Sequence, residues 1–496
     1  MSTALEPIDH QPFTDKPANK GPSMSHESAM FSGLKRCAFA MVTGMVLATS
    51  VLTAARATEP AQDENLAYTI GVQTYISYFP LMDLYRTLWE TSFDPGRGHD
   101  RTLNEYFVFD RLITSKDDWV ITPNNDTIYL RAFLDLRKEP IILVIPPMGD
   151  RQYWVPVGDM WHDFDANLSW DIVGSRGGAF ALCAPGWQGV LPEGVKRVDV
   201  GTPIIWTLPR IAVVGDPDLP AAVALQTQFR LVPLSQWGAA TVARPKPDAA
   251  DFPRFTRNEL TDAKAYFTTL NALLRLSPRL GNPMDDATAG WLRELGMDPA
   301  SGFDWDKLSP QARRGLERAT ADAHRIIAER MPRLVPIVNN WQLARLDKRI
   351  SGDPVFAAGA AMLGLLWNPK EISTYDVAFF DGDGAPLDGS NRYVLRFSPP
   401  PPVDGFWSVT MYSADNQLFV SNPLDRYSFG DRTKGIVYEK DGTLNVFLQF
   451  AEPTDPKERA NWLPAPKGRF YLVTRHYSPR PPILTGDWLP PPITKR

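Results

Sequence analysis

Two short segments of this 496-residue chain hold the residue types that could carry out chemistry. The first, Pro123-Asn-Asn-Asp-Thr-Ile-Tyr129, places amide, carboxylate and phenol groups side by side. The second begins at Arg151 and continues through Tyr153, Asp159 and Trp161. A carboxylate can transfer a proton, and an arginine can clamp an anionic group. These residue types indicate a polar ligand site, although they do not by themselves define a reaction.

The first functional hypothesis is an enzyme of hydrolase or lyase type that acts on a small polar molecule or a sugar derivative. Its proton-transfer group is Asp126 or Asp159, and Arg151 clamps anionic charge. Tyr129 or Tyr153 is the auxiliary donor. All of these residues come from successive predicted β segments, so they could converge on one face of a sheet.

The Pro123–Thr127 segment also has a purely structural interpretation. Asparagine and aspartate side chains bond to the local backbone and proline fixes φ, so the segment is typical of a turn that leads into a strand. In the functional interpretation, Asn124 and Asn125 contact a polar ligand beside Asp126, with Trp161 as a further ligand contact. Both interpretations stay open at this stage.

Gly158-Asp-Met-Trp-His-Asp-Phe-Asp165 gathers three carboxylates and one imidazole within eight positions. Oxygen-rich spacing of this kind can bind Ca²⁺, and Asp with His can contribute to a transition-metal site. The segment lacks the glycine and the final glutamate of an EF-hand loop, and no second histidine follows His162 at i+4. We therefore predict solvated loop charges here, with no metal site and no cofactor.

The second functional hypothesis is a non-catalytic envelope or binding protein, because the usual catalytic signatures are missing from the sequence. It contains no G-x-S-x-G elbow, no H-E-x-x-H, no P-loop and no C-x-x-C. Aromatic residues can instead supply a platform for a sugar or an apolar ligand. The candidates for this platform are Trp407, Tyr412, Trp462 and Tyr477.

Composition and charge narrow the class of protein further. A formal charge of −5 without a basic cluster in the folded part argues against a nucleic-acid partner. Lys35-Arg36, the apolar run from Cys37 and the Ala55-x-Ala57 site indicate a secretory signal peptide. We expect cleavage after Ala57, a periplasmic or secreted protein without a membrane span, and Cys183 as a buried apolar residue. A small-molecule ligand is the expected partner, and a homo-oligomer is compatible with the sequence.

The length exceeds what one hydrophobic core supports, and the 46 prolines favour short strands joined by rigid turns. Apolar residues recur at helical spacing from Tyr68 to Trp89, where Pro80 predicts a kinked or broken helix. The predicted fold is mainly β with α, formed by two β-sandwich or jelly-roll-like domains that a helical connector joins. The predicted divisions are an extension and signal peptide (1–57), an N-terminal β-rich domain (58–240), the connector (241–374) and a C-terminal sandwich (375–496).

The motifs, taken in order, resemble proteins that combine the domain-of-unknown-function families 1254 and 1214. The N-terminal resemblance rests on Pro123–Tyr129, Arg151 with Tyr153, and Asp159. The C-terminal resemblance implies further ligand-binding candidates, which are Arg426, Asn461 and Arg475 beside the aromatic residues above. It also implies two β-sandwich or jelly-roll-like modules in an exported bacterial protein, and no settled activity.

Overall fold

Strands form in this chain where apolar and β-branched runs lie between Pro, Gly and Asp turns. The computed structural model of the protein describes residues 63–97, 102–117, 122–279, 283–364 and 368–496. All of them lie in one compact unit, Glu59–Arg496. The predicted extension and signal peptide, residues 1–57, lie outside the described residues.

The N-terminal half contains two sheets that share one apolar core. The larger has the order β4-β10-β2-β9-β5-β6, with β1 paired to β2, and the smaller has the order β11-β3-β7-β8. Ile128, Leu143 and Ile211 are among the buried residues between them. The strands are β1 (Phe107–Phe109), β2 (Thr127–Asp135), β3 (Ile141–Ile145), β4 (Tyr153–Trp154), β5 (Pro156–Asp159), β6 (Phe164–Asn167), β7 (Gly178–Cys183), β8 (Val195–Asp199), β9 (Ile204–Thr207), β10 (Arg210–Ala212) and β11 (Arg230–Pro233).

The C-terminal half repeats this plan with different strands. A six-stranded sheet, β12-β13-β14-β20-β16-β17, shares an apolar core with a four-stranded sheet, β19-β18-β15-β21. Trp407, Leu395 and Leu472 are part of that core. The strands are β12 (Ile337–Val338), β13 (Trp341–Ala344), β14 (Ser373–Ala378), β15 (Tyr393–Phe397), β16 (Trp407–Ser413), β17 (Ser428–Gly430), β18 (Leu444–Gln449), β19 (Trp462–Pro464), β20 (Phe470–Tyr477) and β21 (Ile493–Lys495).

The described helices are distributed along the chain, and the two longest lie before β1 and between β11 and β12. The first begins after Asp63, whose carboxylate accepts hydrogen bonds from two backbone N–H groups of the first turn, and it passes through Pro80 as one helix. The helices are α1 (Glu64–Ser92), α2 (Trp170–Val173), α3 (Leu219–Gln226), α4 (Ala263–Leu276), α5 (Pro283–Glu294), α6 (Pro310–Arg330), α7 (Pro354–Leu363), α8 (Pro456–Ala460) and α9 (Pro481–Thr485).

Helices α1, α4, α6 and α7 form a helical layer around one apolar core. Small residues let α1 and α6 approach closely: a Cβ atom on Gly315 would lie 2.3 Å from the carbonyl oxygen of Glu64. The same core includes Phe133 and Trp206 from the outer face of the larger N-terminal sheet. This layer therefore covers one end of that sheet face.

The other end of the same face meets the C-terminal half. Side chains two positions apart on a strand share a face, so Tyr129 lies on the same side of β2 as Phe133. Tyr129 packs with Tyr412 and Tyr471 of the C-terminal six-stranded sheet. The outer faces of the two large sheets thus meet around Tyr129.

The structure confirms the prediction of a mainly β fold with α elements. The apolar and β-branched runs at 131–136, 141–146 and 178–183, which are typical of strands, fall in β2, β3 and β7. The jelly-roll connectivity and the domain divisions remain predictions. The first helix is continuous through Pro80, so of the two predicted alternatives the broken helix is wrong, and the kink remains a prediction.

Candidate functional site

Strand register brings the N-terminal polar side chains onto one face. Pairing of β2 with β10 sets Tyr129 directly opposite Arg210, and pairing of β10 with β4 sets Arg210 opposite Trp154. Residues directly opposite in an antiparallel pair point to the same side of the sheet. The guanidinium carbon of Arg210 lies 5.7 Å from the centre of the Tyr129 ring.

The C-terminal sheet presents a matching face. Across β14, β20 and β16, Tyr375 lies opposite Arg475 and Arg475 lies opposite Ser408. Tyr477 follows Arg475 by two positions and therefore shares its face. We call the side chains of Tyr129, Arg210, Tyr375, Arg475 and Tyr477, together with segment 122–126, the inter-sheet site.

Segment 122–126 connects the two halves through specific hydrogen bonds. The side-chain amide of Asn124 donates to the Tyr477 hydroxyl at 2.9 Å, and the Tyr412 hydroxyl donates to the carbonyl of Pro123. Asn124 also accepts a hydrogen bond from the backbone N–H of Asp126, which closes a local turn. The turn predicted from the sequence and a contact at the inter-sheet site are thus made by one side chain.

Asp126 is held by two partners from the C-terminal half. The hydroxyl of Ser408 donates to one carboxylate oxygen at 2.7 Å, and Arg432 donates to the other at 3.1 Å. The residue is only 7% exposed. Its carboxylate therefore joins the two halves of the protein through a buried ion pair.

Arg475 is buried among uncharged oxygens. It donates to the Thr410 hydroxyl and to the Tyr412 hydroxyl, each at 2.9 Å. It also donates to the carbonyls of Thr122 and Pro123, at 3.3 and 3.4 Å. Its side chain is 4% exposed, and among the described residues no carboxylate lies within 4.0 Å of its nitrogens. A guanidinium cannot lose its proton at this site, so the positive charge remains.

Arg210 is linked to Tyr375 through the side-chain amide of Asn368. It donates to the side-chain oxygen of Asn368 at 2.7 Å, and the nitrogen of that amide donates to the Tyr375 hydroxyl at 3.0 Å. Arg210 and Asn368 are both buried. This relay fixes the Tyr375 hydroxyl between the two sheets.

The tyrosines of the site remain hydrogen-bond donors. Burial raises the pKa of Tyr477 well above its usual value, and the neighbouring phenols of Tyr375 and Tyr129 raise it further. Burial also raises the pKa of Tyr129, against the opposing effect of Arg210. Both hydroxyls are protonated at neutral pH and can donate to a ligand.

Arg210, Tyr375 and Asn368 belong to this site but were not among the sequence candidates. The available signal was an arginine that opens an otherwise apolar strand, Arg210-Ile-Ala-Val-Val214. A charged side chain in such a strand requires buried partners. The sequence does not show which partners these are.

The structure separates Arg151 and Tyr153 from the inter-sheet site. Both terminal nitrogens of Arg151 bind the carboxylate of Asp218 at 2.6 Å, and one of them also donates to the carbonyl of Ala212. The hydroxyl of Tyr153 donates to the carbonyl of Gly174 inside the N-terminal core.

Asn125, another sequence candidate, lies in segment 122–126 of the inter-sheet site. Its side-chain oxygen is buried and has no hydrogen-bond partner among the described residues.

Asp159 and Trp161 lie in a second charged region, at the junction with the helical layer. Asp159 accepts from the backbone N–H groups of Trp161 and Asp163, at 2.8 and 3.0 Å. The guanidinium of Arg279 lies 3.5 Å from Asp159 and contacts Asp163 more closely. We call Asp159, Asp163 and Asp165, with Arg279, the acidic cluster.

The prediction of solvated loop charges in this second region is wrong. Asp159, His162 and Asp163 are buried, because β5 and β6 bring them beneath the helical layer. Burial raises the pKa of Asp159 to about 7 and that of Asp165 to about 6, while Arg279 opposes both shifts. Burial lowers the pKa of His162 to about 4. The part of the chain that the structure describes contains no group of three His, Cys, Asp or Glu side chains arranged to hold a metal ion.

The remaining C-terminal candidates have structural partners. Trp407 lies in the sandwich core, on the opposite face from Ser408. Arg426 donates to the carbonyls of Ala460 and Trp462, at 3.1 and 2.8 Å. Asn461 bonds to the backbone of Val437 in both directions. The indole of Trp462 donates to the carbonyl of Gln449 at 2.8 Å. Three of the predicted C-terminal residues, Tyr412, Arg475 and Tyr477, form hydrogen bonds with segment 122–126.

An open cavity of about 130 Å³ adjoins the inter-sheet site at Trp154 and Ser478. Its other lining residues include the carboxylates of Asp171, Glu371 and Asp404. The ring of Trp154 lies 4.6 Å from that of Tyr477, measured between centroids. The cavity is therefore a neighbour of the site with the opposite electrostatic character.

Two protein-family models match parts of the chain. Residues 103–233 match the family described as "Protein of unknown function (DUF1254)", and residues 373–481 match "Protein of unknown function (DUF1214)". The two matches occur in the order that the motifs indicated, which confirms the resemblance. Tyr129 and Arg210 come from the first match, and Tyr375, Arg475 and Tyr477 come from the second.

A solved structure has the same overall fold as this chain. The chain is similar to the VPA0106 protein from Vibrio parahaemolyticus, with 26% sequence identity and a TM-score of 0.66 over 87% of this chain and 100% of that one. An uncharacterized protein from Burkholderia cenocepacia aligns at 12% identity with a TM-score of 0.42, over 86% of this chain and 94% of that one. A search of the curated proteins finds no match. Within the described residues, every helix is too short or too polar to cross a bilayer.

Proposed function

We propose that the protein binds a small polar ligand at the inter-sheet site. The observation that carries this proposal is the convergence of two arginines and three tyrosines from the two halves of the protein onto one junction, where Arg210, Arg475 and Tyr477 are buried. Arg475 donates hydrogen bonds to uncharged hydroxyl oxygens there. The side-chain amide of Asn368 donates to the Tyr375 hydroxyl and fixes its position. Burying charged and polar groups between two sheets costs stability, and a few polar groups that converge in this way are typical of a ligand site.

The geometry gives less support to a hydrolase or lyase that uses a carboxylate for proton transfer. Asp126 is tied to Ser408 and Arg432, and Asp159 is tied to backbone N–H groups in the acidic cluster. A general base must have an oxygen within reach of the proton that it removes. Both oxygens of Asp126 already accept hydrogen bonds within the site, and Asp159 lies outside it, so binding without turnover is the better-supported function.

Export is part of the proposal. The basic Lys35-Arg36 pair, the apolar run from Cys37 and the small residues before Thr58 support a signal peptide. Fractionation of cells that produce the full chain tests it. Processed protein in the periplasm or medium is expected, whereas full-length protein in the cytoplasm would contradict it.

A thermal-shift panel tests the binding proposal. Sugars, polyols, amines and carboxylates are added separately to the wild type, to a Tyr129→Phe/Tyr375→Phe variant and to a Tyr85→Phe control. Tyr85 is a buried tyrosine of the helical layer, and its hydroxyl donates to the carbonyl of Pro253. At least one class should raise the Tm of the wild type and the control while leaving the double variant unchanged. A panel without a hit, or with hits that persist in the double variant, contradicts the proposal.

A further inference from the structure

We infer that the inter-sheet site takes a small amphipathic carboxylate, such as a medium-chain alkyl or an aryl acid. Its carboxylate accepts from the hydroxyls of Tyr375 and Tyr477, and its apolar part lies along an apolar stripe formed by Tyr375, Val377 and Phe379. This inference rests on the proposed function, because it specifies the ligand class of the same site.

Two hydroxyl protons point to a ligand that accepts hydrogen bonds. Tyr375 accepts from the amide of Asn368 at 3.0 Å, and Tyr477 accepts from the amide of Asn124 at 2.9 Å. Each hydroxyl therefore still has its own proton to donate. None of the described residues accepts either proton. A carboxylate supplies two acceptor oxygens, which matches two phenol donors.

Charge favours an anion over a neutral acceptor. Arg475 is buried with uncharged oxygen partners, and the nearest acidic residue that acts on it, Asp126, is already paired with Arg432. The positive potential between the sheets is therefore only partly compensated by the described residues. An anion bound beside the tyrosines would complete the compensation, since opposite charges attract strongly where water is excluded.

The apolar stripe determines the rest of the ligand. Tyr375, Val377 and Phe379 alternate along one face of β14 and just beyond it, and each is only partly buried while packed against Tyr471 and its neighbours. The rings of Phe379 and Tyr471 are stacked with centroids 5.0 Å apart. At ~3.3 Å per residue, the stripe extends roughly 13 Å from Tyr375. This length suits an alkyl chain of medium length or an aromatic ring.

Calorimetric titration with octanoate, 1-octanol, acetate and inorganic phosphate tests the inference. Octanoate should bind at least ~10-fold more tightly than 1-octanol, because a hydrogen bond to a charged group contributes about 1.5–3 kcal/mol. Acetate should also bind at least ~10-fold more weakly than octanoate, because it lacks the buried methylenes. Tyr375→Phe should weaken octanoate several-fold, and Tyr85→Phe should leave it unchanged.

A second variant tests the stripe separately. Val377→Thr keeps the size of the side chain but makes it polar, so it should weaken octanoate and leave acetate unaffected. Circular dichroism verifies that each variant is folded. Equal affinity for octanoate and 1-octanol, with both lost in Tyr375→Phe, would overturn the carboxylate assignment and retain the binding site. Phosphate that binds more tightly than octanoate would overturn the amphipathic class. If no probe depends on Tyr375, both the inference and the proposed function fail.

Discussion

The inter-sheet site and the acidic cluster are both buried and charged, but the excess charge has opposite sign in the two regions. In the acidic cluster, three carboxylates face Arg279, which is buried, and Arg349, which is mostly exposed. In the inter-sheet site, Arg475 is surrounded by hydroxyls and carbonyls. The first region is anionic and the second is cationic.

The two kinds of excess charge are relieved differently. A buried carboxylate can take up a proton, and burial favours this by raising the pKa of Asp159 to about 7. A guanidinium cannot lose its proton, so its charge has to be balanced by hydrogen bonds or by an anion from outside. On this ground we propose that the acidic cluster acts in the stability of the fold and that the inter-sheet site binds a ligand.

The largest effect is expected for Asp163→Asn. The Asp163 carboxylate accepts from the backbone of Ile350 and Ser351, from the Ser351 hydroxyl and from Arg279. Its neutralisation leaves Arg279 buried without its closest carboxylate, which should cost about 3–5 kcal/mol of unfolding free energy in urea denaturation. Asp306→Asn, which breaks the exposed pair with Lys264, is the matched control and should cost at most about 1 kcal/mol. Equal losses would contradict a structural role for the acidic cluster.

The next effect is a dependence of stability on pH. Asp159 and Asp165 have folded-state pKa values of about 7 and about 6, raised above the unfolded value near 3.8. Their contribution is complete below the unfolded pKa and is lost as pH rises through the folded values. The charged groups around Asp159 are Asp163, Asp165 and Arg279, with neutral His162 beside them.

Urea denaturation from about pH 5 to about pH 8 measures this loss of stability. The free energy of unfolding of the wild type should fall by a few kcal/mol over the range, and that of Asp159→Asn should fall less, because the amide imitates the protonated acid. If the two profiles are parallel, the raised pKa of Asp159 does not cause the fall of the unfolding free energy with pH.

A smaller effect is expected for Asp126→Asn. The variant keeps an oxygen for Ser408 but removes the charge that Arg432 contacts at 3.1 Å. A loss of about 1–3 kcal/mol is expected, because Arg432 is partly exposed and regains some hydration. Thermal denaturation measures it. Asp126→Asn would also add to the positive charge of the inter-sheet site, so carboxylates should bind no more weakly than to the wild type. Weaker binding of carboxylates would contradict the assignment of an anionic ligand.

The fold was more accessible from the sequence than the site. Strands such as Ile141–Ile145 are continuous apolar runs between turn residues, so local pattern predicts them. Alternation along β20 also predicts that His476 faces away from Arg475 and Tyr477, and His476 is indeed buried with a hydrogen bond to Thr374 on the sandwich side. Such features depend only on neighbouring residues.

The partners within the site depend on register between distant strands. Tyr129 meets Arg210 through the pairing of β2 with β10, and Tyr375 meets Arg475 through the pairing of β14 with β20. Asp159 lies near Arg151 in sequence, but β5 carries it beneath the helical layer, away from the inter-sheet site. Residues that are close in the sequence were predicted to share a site, whereas the residues that do share it are brought together by pairing between distant strands.

The smallest effect on stability is expected for Tyr375→Phe. The hydroxyl accepts one hydrogen bond from Asn368, so its removal should cost about 1 kcal/mol in thermal denaturation. This variant therefore separates ligand binding from folding. A loss as large as that of Asp163→Asn would mean that the inter-sheet site is also a structural element.

The most direct measurement is a crystal structure of the protein with octanoate. We expect the carboxylate oxygens of octanoate to lie within hydrogen-bond distance of the Tyr375 and Tyr477 hydroxyls, and its alkyl chain to lie along Val377 and Phe379. Octanoate bound only elsewhere, such as in the cavity beside Asp171 and Glu371, would contradict the assignment of the inter-sheet site.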